Sequence, residues 1–168
     1  MTNHSHPISP KFAGAVFFAL YAVFFMLFAK YTLLTLKDTR LLPFFSSLFI
    51  AAITGGIAGA LLGKPLAKNA KWNRPFLIGI LLALLSLVLG SFGVLAHYYL
   101  HNVLHFSRWQ DYFVVYGLVL LSLLMTVGIW LVPLTGLVSV YFNKRFFPGL
   151  LLADKERFAK AKERHDNK

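Results

Sequence analysis

Residues 43–97 read PFFSSLFIAAITGGIAGALLGKPLAKNAKWNRPFLIGILLALLSLVLGSFGVLAH, and the reading of this stretch decides the fold. Leu42 to Gly63 contains no Asp, Glu, Lys or Arg. Its 22 residues, at about 1.5 Å each along a helix, reach about 33 Å, enough to cross a hydrocarbon core of about 30 Å. Phe76 to Ala96 is equally free of charge. Between them, Lys64-Pro-Leu-Ala-Lys68-Asn-Ala-Lys71-Trp-Asn-Arg74-Pro holds four basic residues and no acidic one, with a proline near each end to punctuate the helices. So short a loop makes its two helices antiparallel neighbours, and the stretch reads as a membrane helical hairpin.

Two rows of small residues run along the hairpin. Ala51, Gly55, Gly59 and Gly63 recur every four residues, with Ala52 and Gly56 beside them. Gly79, Ala83, Ser86, Gly90 and Gly93 alternate between spacings of four and three. Burial of apolar area does not drive helices together in lipid, so close backbone approach over small residues is a main source of association. These small-xxx-small rows are expected to face each other, or the same rows in a second copy.

Working outward, Phe12 to Ala29 is a phenylalanine-rich run without charge. It is longer than a signal-peptide core and no small-x-small cleavage site follows, so it reads as a retained helix. Tyr112 to Phe142 is the last uncharged run, about 46 Å as a helix, and Asn143-Lys144-Arg145 closes it. Pro133 lies inside this run and cannot bond the carbonyl of Ile129, so a kink is expected there. The predicted fold is an all-α membrane protein. Its four transmembrane helices cover residues 12–29, 42–63, 76–96 and 112–142 as an antiparallel bundle, flanked by an N-terminal tail (1–11) and a basic C-terminal tail (143–168).

Composition agrees. The chain of 168 residues is 58% hydrophobic and 16% aromatic, more apolar than a soluble domain of this size requires. With no cysteine there are no disulfides, thiol catalysis or iron–sulfur ligation, and three methionines are too few for a soft-metal pathway. The net charge of +11 is distributed unevenly. Lys11, the hairpin loop and the C-terminal tail carry thirteen of the 17 basic residues, while Lys30, Lys37, Arg40 and Arg108 fall on the other side. By the positive-inside rule this places both termini and the loop in the cytoplasm of a bacterial-type inner membrane. The charge is thereby assigned to topology, and nucleic acid is not an expected partner. Lys64, Lys68, Lys71, Arg74, Lys144 and Arg145 are expected to meet anionic headgroups of the lipid bilayer.

One constellation has the residue types for chemistry. His97, His101 and His105 follow each other at intervals of four, so each step turns by only about 40° and the three share one helix face. Imidazoles so spaced suit zinc, copper or nickel, and histidine titrates near neutrality. This pattern admits a divalent metal or a pH-responsive face. The competing reading is an interfacial one, because Tyr98, Tyr99, Phe106, Trp109, Tyr112 and Phe113 surround it as an aromatic belt. Asp111 is the only carboxylate nearby in sequence, whereas a tetrahedral zinc site needs a fourth ligand.

Absences narrow the functions. No full charge lies within the four uncharged runs; polar content there is of the kind of Tyr21, Thr54, Ser86, Ser91, Ser122, Thr126 and Thr135. Ion-coupled carriers hold charge at membrane depth, so this weighs against them. No phosphate loop, serine elbow or metalloprotease helix is present in the sequence. Gly63-Lys-Pro-Leu-Ala-Lys68, with the basic residues that follow, resembles the loop joining the second and third helices of major facilitator transporters. It lacks that pattern's acidic residue and covers about a dozen residues, so no function is carried over from it. The expected role is a non-enzymatic subunit, scaffold or assembly partner that docks another membrane protein or a second copy through its small-residue rows. The alternatives are a homo-oligomeric channel or small transporter, and a metal-binding or pH-responsive protein acting through the histidines. No other cofactor is expected.

Overall fold

The computed structural model describes residues 9–33, 44–68, 71–101, 108–154 and 156. Among these it contains four helices long and apolar enough to cross a membrane, and no strand. We label them α1 (Pro10–Phe28, continued by a π-helical turn at Ala29–Leu33), α2 (Phe44–Ala67), α3 (Asn73–Leu100) and α4 (Trp109–Asp154). Pro10 opens α1 in its first turn, where a missing N–H costs nothing. The backbone of α4 stays helical through Pro133; its irregular turns are π-helical, at Leu124–Gly128 and Phe142–Phe146. At 46 residues α4 is about 69 Å long, more than twice a hydrocarbon core, and it does not end at Asn143.

The glycine row of α2 does not face α3. It packs on α1, backbone against backbone. A Cβ at Gly55 would lie 2.6 Å from both Phe18 O and Ala22 Cβ, one at Gly63 would lie 2.5 Å from Pro10 O, and one at Gly14 would lie 2.5 Å from Gly59 O. Rising residue numbers on α1 thus meet falling ones on α2. The row on α3 is divided between two neighbours. Gly79 approaches Gly136 and Ser139 of α4, Gly93 receives the Ile50 side chain of α2, and Gly90 has nothing within 4 Å. The expectation that the two rows pair is therefore corrected. Spacing fixes which face of a helix is small, but α1 carries a small face of its own at Ala13, Gly14, Ala15, Ala19 and Ala22, and it takes the place assigned to α3.

The core gathers at the end of the bundle that carries the basic loop. Phe18 and Phe142 are fully buried with ring centroids 5.6 Å apart, and Phe17 lies between the rings of Phe142 (5.1 Å) and Phe146 (4.5 Å). Ala13, Ala58, Leu66, Leu82 and Phe147 are buried with them. Toward the other end α4 loses its packing. Of the most apolar stretch of α1, α2 and α3, 28% is buried in each case, against 6% in α4, and no residue of Trp109–Leu123 is buried.

Candidate functional site

At the basic end, the exposed residues include Lys11, Lys64, Lys68, Lys71, Arg74, Lys144 and Arg145, which together form a basic rim. In their midst is a residue the sequence reading assigned only to a basic stop. Asn143 is buried, and its Nδ2 donates to the carbonyls of Leu66 and Lys68 (2.9 Å to the latter). These carbonyls belong to the last turn of α2 and the residue after it, where intrahelical donors run out. One amide thus closes the C-terminal end of α2 and ties the loop to α4. An Asn beside Lys and Arg at the end of an apolar run carries no mark in the sequence of being buried. Asn143 Oδ1 and Ser139 Oγ have no hydrogen-bond partner among the described residues.

Mid-bundle polar groups are mostly occupied by backbone. Thr54 donates to Ala51 O (3.2 Å), Ser91 to Leu87 O (2.8 Å), Thr126 to Ser122 O (2.7 Å) and Thr135 to Leu131 O (2.6 Å). Since the Thr135 proton is committed to that carbonyl, the 3.2 Å contact with Tyr21 is donated by the tyrosine hydroxyl. Ser86 is half-buried, whereas Ser122 and Thr126 are exposed on α4. Ala51 is half-buried and Ala83 is buried.

The opposite end carries the histidines. His97 is half-buried and His101 exposed at the C-terminal end of α3, and their rings lie 4.1 Å apart with a 40° tilt. His101 Nδ1 is 2.8 Å from His97 O; a carbonyl only accepts, so Nδ1 carries a proton, and in the neutral ring Nε2 is then the nitrogen with the lone pair. Tyr98 is edge-on to His97 (6.0 Å), and Tyr99 and Tyr112 meet at 6.2 Å, which holds the start of α4 beside the end of α3. His105 lies outside the described residues. Among those described, no group of three His, Cys, Asp or Glu residues assembles.

Next to the tyrosine pair is an open apolar cleft of about 250 Å³, lined by Phe92, Leu95, Ala96, Tyr99 and Tyr112. Nearby, the Tyr116 hydroxyl donates to Val88 O (3.2 Å) and its ring meets Phe92, one of the lining residues, at 5.5 Å. Gly117 on α4 has nothing within 4 Å of an added Cβ. The exposed face of α4 at this level combines Phe113, Gly117, Leu118, Leu121, Ser122, Met125, Thr126 and Trp130. Chemically it is a surface for packing: the side chains with acid, base or ligand character stand at the two ends. No family model, curated protein or solved structure matches the chain.

Proposed function

We propose that this chain is a non-enzymatic subunit or assembly partner of a bacterial inner membrane, with both termini and the basic loop in the cytoplasm. Its docking surface for a transmembrane helix of another protein is the exposed face of α4 from Phe113 to Trp130. The observation that carries this reading is the contrast in burial within the most apolar stretch of each helix, 6% in α4 against 28% in each of the others. Simple lipid exposure accounts for one bare face but not for the chemistry on it. Ser122 presents a hydroxyl that has no hydrogen bond among the described residues, at membrane depth, next to the uncovered Gly117. In hydrocarbon an outward hydroxyl finds a partner on another helix, and glycine lets that helix come close. The glycine row of α2, by contrast, is consumed within the chain and has no surface left to offer.

The test places a photoreactive side chain at Gly117, Leu121 or Met125, and as controls at Phe49, Ile53 or Ile57 on the lipid-facing side of α2. Crosslinking in native membranes to one protein at fixed stoichiometry from the α4 positions, and not from the controls, is expected. Equal, diffuse labelling from both helices would sink the reading. A second reading, a homo-oligomeric channel or small transporter, draws on the same exposed pair, Ser122 and Thr126. It requires self-crosslinking from α4 and a solute flux in liposomes that changes in Thr126→Val.

A further inference from the structure

We infer that His97 and His101 form a two-imidazole site for a divalent late first-row transition ion at the end of the bundle opposite the basic loop. This goes beyond the docking role and does not depend on it. Three features of the pair carry it. First, the two residues are one helical turn apart and their rings lie 4.1 Å from centroid to centroid, which puts a nitrogen of each within side-chain rotation of a shared ion. Second, the His97 carbonyl accepts the Nδ1 proton of His101 at 2.8 Å. A ligating histidine is ordinarily held this way, with one ring nitrogen bonded to a carbonyl or carboxylate so that the other points its lone pair at the metal. Third, His101 is exposed, which leaves its Nε2 open to an ion arriving from water.

The donor set defines the class of ion. Two neutral imidazoles without a thiolate suit Cu²⁺, Ni²⁺ or Zn²⁺, with copper the tightest of the three, and they are a poor match for Mg²⁺ or Ca²⁺, which take oxygen ligands. Waters would complete the coordination sphere around a pair of protein ligands. Such a site is an exchangeable one, unlike a closed structural zinc centre with four protein ligands.

The experiment uses the untagged full chain in nanodiscs, titrated with Cu²⁺ and read by calorimetry and by the nitrogen hyperfine pattern of the bound ion. His97→Ala and His101→Ala are compared singly with the parent, each in the presence of the remaining histidines. Loss of an outer-shell partner alone typically costs 10–100-fold in metal affinity, so loss of either imidazole is expected to weaken this site by more than about tenfold. The hyperfine pattern should fall from two nitrogens to one in each variant. His101 is exposed and His97 only half-buried at a helix end, so thermal unfolding of the variants should stay close to the parent. Affinity and hyperfine pattern unchanged in either single variant would overturn the assignment, as would loss of Ca²⁺ binding in parallel with Cu²⁺. Chain with His105→Ala should retain two-nitrogen coupling at full affinity; if that variant also loses a nitrogen, the two-residue site is wrong.

Discussion

Gly59 and Gly90 belong to the two rows of small residues and have opposite surroundings. A Cβ at Gly59 would lie 2.9 Å from Gly14 C and 2.9 Å from Phe18 Cβ, while one at Gly90 would meet nothing within 4 Å. Gly59→Ala must therefore push α1 and α2 apart, at the cost of about 1–3 kcal/mol usual for overpacking. Gly90→Ala adds a methyl to open space and removes glycine's backbone freedom, so its effect should lie between neutral and about 1 kcal/mol stabilising. Reversible unfolding in mixed micelles, followed by helical circular dichroism, separates the two. Equal costs would mean that α1 does not sit on the α2 glycines. Asn143 poses a different residue-scale question, because its one amide nitrogen donates to both Leu66 O and Lys68 O. Asn143→Leu keeps the branched shape and leaves both carbonyls without that donor, a loss expected to cost about 1–3 kcal/mol. Faster tryptic cleavage at Lys68 and Lys71 in this variant would report the freed loop, and unchanged cleavage would show that the amide does not hold it.

At the scale of elements, the pairing of α1 with α2 admits a direct chemical test. The chain has no cysteine, so an introduced pair is read without background. The Cβ of Ala19 is 3.6 Å from the place where a Gly56 Cβ would stand, inside the 3.5–4.5 Å range of disulfides. Ala19→Cys with Gly56→Cys should crosslink under mild oxidation; Ala19→Cys with Gly90→Cys should not. The same pairing shows how far sequence carries. The four spans follow from uncharged runs matched to bilayer thickness, and the hairpin between α2 and α3 from a loop too short for anything else. Which helix receives the glycines of α2 was not legible, because α1 and α3 both offer small faces and no local rule ranks them. Asn143 stayed hidden for a related reason: its value comes from the end of α2, 75 residues away, and only the folded chain brings the two together. The histidine pair was legible as a spacing, whereas its hydrogen-bonded tautomer required coordinates.

For the whole molecule, packing and charge point along the same axis. The aromatic core, the Asn143 clamp and the basic rim share one end, while α4 opens away from its neighbours toward the histidine end. In the proposed docking role, the basic end would anchor the bundle and the other end would accept the partner helix. The proposed orientation rests on thirteen basic residues against four, and eight of the thirteen lie beyond Phe142. Replacing Lys64, Lys68, Lys71 and Arg74 by glutamine leaves nine against four, so the topology should survive. Replacing the eight C-terminal ones as well leaves Lys11 alone against four, and a substantial inverted fraction is expected. A single cysteine at Asn69 or at Ser107, probed in intact cells with a membrane-impermeant maleimide, distinguishes the two states. Asn69→Cys should be protected and Ser107→Cys labelled in the parent and in the loop variant, with labelling appearing at position 69 only when the tail is also neutralised. Inversion by the loop variant alone would place the topological signal in the hairpin; an unaltered pattern after both changes would show that the charge count does not set the orientation of this chain.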